Sequence, residues 1–243
     1  KKILNTRNPS LRALNRIRTE VRNFWKSITL PWTEETIRLL RQDDVEKFDN
    51  TMKEFRQVLK LQVAEVNSVF HEMRLEAAKQ LGTLYNDSDY PTTLENSFEV
   101  SWEFVSVNPP DYLMQLHPKV YAEQLAKVEA KFANAVTMAE DAFLDEFQTL
   151  VSHLSDRLVG QKDGKPMIFK ESSIENLIDF FAKFKHLNMT SSEQLDALVE
   201  QAQKAVVGIT ASDIRNSNTL RAAVATNLGN ISKELDGMMV LKP

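Results

Sequence analysis

Apolar residues recur at steps of three, four or seven positions from Tyr121 to Leu158, which is the period of an α-helix with one apolar face. The stripe consists of Tyr121, Leu125, Val128, Phe132, Ala135, Ala139, Phe143, Leu150, Leu154 and Leu158. Neither Pro nor Gly interrupts the segment before Gly160. The pattern therefore predicts one helix of roughly 40 residues, about 60 Å long at 1.5 Å per residue. Because such a helix cannot bury its stripe alone, we expect an equally long partner.

A second periodic segment, between Val45 and Leu81, supplies the expected partner. Its apolar positions are Val45, Phe48, Met52, Phe55, Leu59, Val63, Val66, Val69, Phe70, Met73, Ala77 and Leu81. Gly82 follows directly, and helices commonly end at glycine. The two segments predict an antiparallel, coiled-coil-like pair of long helices.

The segment between the two helices shows the clearest strand pattern in the chain. Apolar and polar residues alternate from Phe98 to Phe104, slip at Val105 as in a β-bulge, and resume at Val107. Tyr112-Leu113-Met114 is the candidate pairing strand. We therefore expect a small β element near residues 97–114, at one tip of the helix pair.

Shorter helical patterns flank the pair. Pro9-Ser10 opens a basic amphipathic helix. In the C-terminal part, Thr190-x-x-Glu193 has the spacing of a capping box that opens one helix, and Thr210-x-x-Asp213 starts the last helix. The chain is thus expected to be mainly α and to form one elongated domain. Its expected segments are a basic N-terminal helix (1–29), the long-helix pair with its β insertion (30–160), and a C-terminal helical cluster packed on the same domain (161–243).

The charge is distributed unevenly. The whole chain has a net charge of −4, yet residues 1–28 contain eight basic side chains and one acidic one, Glu20. Six of these cations, which we place on the basic helix over residues 7–26, form the candidate polyanion- or partner-binding site: Arg7, Arg12, Arg16, Arg18, Arg22 and Lys26. If each neutralised one phosphate, the log–log salt slope on duplex DNA would reach about −5.

Several interpretations of this basic helix stay open. It is compatible with binding a nucleic acid, an anionic membrane surface or an acidic protein. It is equally compatible with packing of the apolar stripe on the body, with the arginines in solvent or paired with acids of the long helices. The candidate acids are Glu65, Glu72, Glu129 and Glu140.

Catalytic chemistry finds little support in the sequence. The absence of Cys excludes disulfides, thiolate catalysis and Cys-based zinc sites. The segment Gly160–Pro166 lacks the spacing and the hydroxyl residue of a phosphate-binding loop. None of the four histidines has the spacing of a zinc or di-iron motif. We accordingly expect no catalytic residues, no cofactor and no metal. No apolar run approaches the 18 residues of a transmembrane helix, and we expect a cytoplasmic protein.

Several short motifs resemble an uncharacterised protein family of tailed bacteriophages and mobile elements. The motifs are Leu30-Pro31-Trp32-Thr33, Arg38-Leu39-Leu40, Leu81-Gly82-x-Leu84-Tyr85, Asp89-Tyr90-Pro91, Phe98–Phe104, Asp156-Arg157-Leu158 and Leu187-Asn188-Met189-Thr190. The resemblance covers about residues 10–200. The chain departs from the family after Leu40, where a Pro is expected, and at Phe169-Lys170-Glu171-Ser172. The resemblance implies a phage protein in a bacterial cytoplasm, and it supplies no catalytic residues.

These observations favour a non-enzymatic helical interaction or assembly protein that self-associates or binds a protein partner. One alternative is a nucleic-acid-binding accessory protein that uses the basic N-terminal helix. A second alternative is a counter-defence protein that binds a small molecule or nucleotide.

Overall fold

The computed structural model describes residues 4–162, 165–167, 170–188 and 191–240. In these residues the chain is mainly α, which confirms the fold class expected from the apolar periodicity. The helices of the described part are α1 (Pro9–Ile28), α2 (Val45–Leu81), α3 (Asp111–Leu116), α4 (Pro118–Val159), α5 (Ser172–Leu187), α6 (Glu193–Val206), α7 (Ala211–Asn216) and α8 (Asn218–Val240). The strands are β1 (Thr29–Pro31), β2 (Arg38–Leu40), β3 (Gln161–Lys162) and β4 (Lys165–Pro166).

The chain forms two compact units. Unit 1 contains Lys1–Thr29 and Leu40–Val107, and unit 2 contains Leu30–Leu39 and Asn108–Pro243. This division differs from the segments 1–29, 30–160 and 161–243 expected from the sequence. Trp32 shows why the 30–39 segment belongs with α4, because its buried ring packs edge-on against Phe132 at a centroid distance of 4.9 Å.

In unit 1, α1 packs its apolar face on α2. The helix begins as predicted, with Pro9 in its first turn and the Asn8 side chain accepting hydrogen bonds from the backbone N–H groups of Ser10 and Leu11. Leu14 and Ile17 of α1 are buried. They share a core with residues of α2, namely Leu59, Val63, Val66, Phe70, Met73 and Ala77.

Residues 85–107, which we call the strap, run back along α2. The backbone N–H of Leu94 donates to Asn67 Oδ1 at 2.8 Å, and farther along the strap the carbonyl of Val100 accepts from Arg56 Nε at 3.1 Å. Phe104 then reaches the ring of Phe48. Since contacts move to earlier positions of α2 as the strap proceeds, the two segments are antiparallel.

The strand predicted at Phe98–Phe104 is wrong, because residues 98–107 contain no strand. The four residue steps from Val100 to Phe104 cover the eight steps from Arg56 to Phe48 on the helix, a distance of about 12 Å. Four steps reach that far only in extended chain, about 13 Å. The alternation therefore reflects an extended segment with one side on a helix.

The β elements also lie elsewhere than predicted. Tyr112-Leu113-Met114 belongs to α3. The strands pair as two short two-stranded sheets, β1 with β2 and β3 with β4, the latter antiparallel with Gln161 opposite Pro166.

In unit 2, the C-terminal half of α4 is the centre of the core. It packs against α8 and α5, and the predicted C-terminal helical cluster of α5 to α8 is confirmed. Phe147 of α4 stacks on Phe180 of α5, with their ring centroids 5.1 Å apart. The helix start predicted at Thr210 and Asp213 is confirmed and has a capping box, but the helix that begins there is the short α7, and the predicted last helix is divided between α7 and α8. The Thr190 prediction lies outside the described residues, and Ser192 is the N-cap of α6.

Both long helices exist where the sequence places them, at Val45–Leu81 and Pro118–Val159. The prediction that their stripes bury each other is wrong. The α2 stripe is buried in unit 1 by α1 and the strap, whereas the α4 stripe is buried in unit 2 by α5 and α8. Apolar periodicity defines a face that must be covered, but it does not specify the covering element.

Candidate binding surface

The cations of α1 lie opposite its buried face. At 100° per residue, Arg18, Arg22, Lys26, Arg12 and Arg16 occupy roughly 160° of the helix circumference. Between them on this arc lie the polar residues Asn15, Thr19 and Asn23 and also Leu11, which is partly buried against the unit 1 core, and Glu20 falls just beyond the arc. We call these five residues the basic face. The interpretation in which α1 packs its apolar stripe on the body and exposes its arginines therefore agrees with the packing of α1 in the structure.

The basic face is open to solvent, since all five side chains are exposed. Arg16 forms an ion pair with Glu20 one turn later, at 2.7 Å. In the described part of the chain, Arg12, Arg18, Arg22 and Lys26 form no ion pair. Residues three or four apart on a helix have their Cβ atoms about 5–6 Å apart, so the face presents a dense set of positive charges.

Arg7 is exposed but does not belong to this face. The helix begins at Pro9, and the backbone N–H of Arg7 donates to the Asn5 side chain at 3.0 Å in the preceding turn. The sequence interpretation that placed Arg7 on the helix with the other five cations is wrong.

Two of the acids proposed as partners of the arginines have other hydrogen bonds. Glu65 accepts from Ser10 Oγ at 2.9 Å and from Gln62 Nε2 at 3.0 Å. Glu140 accepts from the backbone N–H of Ser192 at 3.1 Å, which secures the start of α6.

Polar residues fill three of the four gaps between the cations. Asn15 and Thr19 donate side-chain hydrogen bonds to carbonyls one turn earlier, at 3.0 and 3.3 Å. Asn23 is exposed between Arg12 and Arg16 on the arc. Such side chains supply phosphate contacts alongside Arg and Lys in nucleic-acid complexes.

The aromatic residues of the strap divide between interior and surface. Trp102 is half-buried, donates from Nε1 to Asp49 at 3.1 Å, and lies under the Arg56 guanidinium at 4.3 Å. Phe98 and Phe104 are 41% and 53% exposed. Trp102 thus packs against the core as a partly buried residue, whereas Phe98 and Phe104 lie mainly at the surface. The alternation missed this difference because it does not distinguish a solvated face from a buried one.

The titratable groups show structural roles. The carboxylates with a pKa lowered by a hydrogen bond from a Lys or Arg side chain are Glu34, Asp49, Asp87 and Glu200. The pKa of Asp213 is lowered because the backbone N–H of Thr210 donates to it in the capping box. The four histidines are exposed. Among the described residues, no group of three or more His, Asp or Glu side chains is arranged to hold a metal ion.

A small apolar pocket lies in unit 2, beside Leu30, Phe132 and Phe143, with Glu140 and Asn188 as polar lining. Its volume is about 20 Å³, enough for about one water molecule. Pockets that bind drug-sized ligands measure about 300–1,000 Å³.

Comparisons with protein-family models, with curated proteins and with solved structures found no match. In the described ranges, no helix combines the length and the apolar character needed to cross a membrane.

Proposed function

We propose that this protein is a non-enzymatic binding protein whose basic face contacts the phosphate backbone of a nucleic acid. The observation that carries the proposal is the orientation of α1. Its apolar residues are used in packing on α2, and its five cations point away from that contact without an ion pair to α2 or to the strap in the described residues.

The packing of α1 argues against a membrane surface. An interfacial amphipathic helix inserts its apolar face among the lipids. On α1 that face is occupied, since Leu14 and Ile17 are 3% and 6% exposed within the unit 1 core. The remaining surface is cationic and polar, which suits a hydrated backbone of phosphates.

The charge of unit 1 is compatible with this proposal. The unit contains 15 basic and 14 acidic residues, whereas unit 2 contains 15 basic and 20 acidic residues. Unit 1 therefore has no net negative charge to repel a nucleic acid, and its basic residues are concentrated on one helix face. Five phosphate contacts predict a log–log salt slope of up to about −4.5 on duplex DNA.

Fluorescence anisotropy with labelled duplex and single-stranded DNA at low salt tests the proposal. The variant Arg12→Glu, Arg18→Glu, Arg22→Glu leaves the Arg16–Glu20 pair intact and is expected to bind at least tenfold more weakly, with a shallower salt slope. The matched control is Lys47→Glu, Lys60→Glu, Lys79→Glu, which makes the same charge change at exposed positions of α2. Equal affinities of wild type and the α1 variant would contradict the proposal, as would equal losses in both variants.

A second candidate is binding to a protein partner. Four large apolar side chains at α3 and the start of α4 are 43–68% exposed: Tyr112, Met114, Leu116 and Val120. Apolar residues grouped at the surface are typical of protein contacts. This candidate, like the first, fits an assembly role in a phage-infected bacterial cytoplasm, the setting that the family resemblance implies and that we propose for the protein.

A further inference from the structure

The strap has a charge opposite to that of the basic face. Between residues 85 and 107 there are five acidic residues and no Lys, Arg or His: Asp87, Asp89, Glu95, Glu99 and Glu103. Unit 1 thus has an acidic segment and a basic helix face, with Arg74 of α2 neutralising Asp87 at one end of the strap.

The extended course of the strap directs part of this charge to solvent. Val100 and Trp102 are half-buried, whereas their neighbours Glu99 and Glu103 are exposed. Glu95 is exposed as well, and in the described residues none of these three glutamates forms an ion pair. Phe98 and Phe104 are partly exposed as well, but they alternate with these glutamates and Phe104 contacts the Phe48 ring of α2, so the outer side of the strap is defined by its carboxylates.

We infer that the strap of one copy docks on the basic face of a second copy of this chain. The two surfaces match in charge and in length. Glu95 lies in the turn at 94–97 and the chain is extended only from residue 98, so Glu95 to Glu103 spans less than the about 28 Å of a fully extended chain, and Arg12 to Lys26 spans about 21 Å of helix. The carboxylates and the cations therefore run side by side over most of this contact.

A second copy is the occupant because each chain offers both surfaces in one unit. In the described residues, Glu95, Glu99 and Glu103 form no ion pair with α1 of their own chain, and neither do Arg12, Arg18, Arg22 and Lys26 with the strap. The contact joins two different patches. Copies of the chain therefore either add to one another without end or form a closed assembly in which every strap and every basic face is occupied. It also occupies the face proposed to bind nucleic acid, so assembly and nucleic-acid binding compete.

The contact is expected to be weak and sensitive to salt. Its charges are exposed, and the screening length falls from about 30 Å at 0.01 M salt to about 3 Å at 1 M. Sedimentation velocity at about 100 µM protein should show association at low salt that is lost at 0.5 M salt.

Charge exchange provides the decisive experiment. The α1 variant carries Arg12→Glu, Arg18→Glu, Arg22→Glu, and the strap variant carries Glu95→Lys, Glu99→Lys, Glu103→Lys. Each variant alone places like charges on both surfaces and is expected to remain monomeric at low salt. An equimolar mixture restores opposite charges and is expected to associate again. The matched control Glu46→Lys, Glu54→Lys, Glu72→Lys changes exposed acids of α2 and should associate like the wild type.

Several outcomes would overturn the inference. A wild type that is monomeric at low salt, variants that associate like the wild type, or a mixture that stays monomeric would each do so. Circular dichroism of each variant verifies folding, and only variants that keep the wild-type spectrum enter the comparison.

The result is separable from nucleic-acid binding. The strap variant retains the basic face and should bind DNA at least as tightly as the wild type. If the strap variant loses self-association and still binds DNA, the strap contact is supported independently of the proposed nucleic-acid binding. DNA binding that fails in every variant and in the wild type would remove the proposed function while leaving the charge-exchange result intact.

Discussion

At the C-terminal end of α4, the Arg221 side chain donates the hydrogen bonds that the next helical turn would otherwise supply. Its Nε donates to the carbonyl of Leu158, and one terminal nitrogen donates to the carbonyls of Arg157 and Met167, all at 2.8–2.9 Å. The last carbonyls of a helix lack partners within the helix and carry partial negative charge. Arg221 of α8 therefore secures α4, α8 and the β3–β4 region to one another.

Arg221→Ala is expected to lower the free energy of unfolding by about 2–3 kcal/mol, because three charged hydrogen bonds are lost and three carbonyls lose a partner. Arg221→Lys keeps the charge but lacks the planar guanidinium, so its free energy of unfolding should lie between those of the wild type and Arg221→Ala. Urea denaturation followed by circular dichroism measures both. A midpoint unchanged in Arg221→Ala would show that water replaces the guanidinium without cost.

Asp87 makes the stability of unit 1 depend on acid pH. Its carboxylate accepts hydrogen bonds from Arg74 and from Tyr85 Oη, and these lower its pKa below the ordinary value of about 3.9. Because the folded pKa is the lower one, the stabilisation is present above about pH 4 and is lost as the pH falls through the folded pKa.

Asp87→Asn should therefore be less stable than the wild type at pH 7, and the difference should shrink below pH 4. Thermal unfolding between pH 2.5 and 7 measures this difference. Glu95→Gln on the same strap, whose side chain has no ion pair in the described residues, is the control. A wild-type advantage that is constant with pH would exclude ionic stabilisation by Asp87.

At the scale of elements, the strap depends on Trp102. The residue combines a hydrogen bond to Asp49, a cation–π contact with Arg56 and apolar packing on α2 near Phe48 and Met52. An exposed cation–π contact contributes about 0.5–1 kcal/mol, and a hydrogen bond to a charged group about 1.5–3 kcal/mol. Trp102→Ala should destabilise the protein by about 2–3 kcal/mol.

Trp102→Phe keeps most of the ring and loses the hydrogen bond, so about half of that loss is expected. Urea denaturation gives the magnitudes, and limited proteolysis within 98–107 reports release of the strap. Equal stability of Trp102→Ala and the wild type would mean that other contacts, such as the bond between Arg56 and the Val100 carbonyl, hold the strap.

The elements also show what the sequence could predict. The C-terminal end of α2 agrees with the prediction because Gly82, with φ of +52°, ends the helix. The alternation from Phe98 to Phe104 predicts a strand, but it indicates only an extended chain with one covered side, and a helix covers that side as well as a sheet does. Helical spacing predicts the basic face, but it does not specify which molecule binds to that face.

At the scale of the molecule, two kinds of contact are available, one charged and one apolar. They respond differently to salt, since screening weakens the charged contact, whereas excluded salts such as sulfate strengthen burial of apolar surface. Sedimentation as a function of sodium sulfate concentration can therefore separate the two surfaces in one protein.

The apolar residues at α3 predict association that increases with salt. Leu116 is 68% exposed and Met114 51%, and burying one such side chain contributes about 1.5–3 kcal/mol. Leu116→Lys, Met114→Lys should abolish any association that survives 0.5 M sodium sulfate, and it should leave low-salt association unchanged. Leu61→Lys on α2, which replaces an equally exposed leucine in unit 1, is the control. If the wild type is monomeric in sulfate, the apolar residues at α3 do not join copies of this chain, and a different protein is their partner.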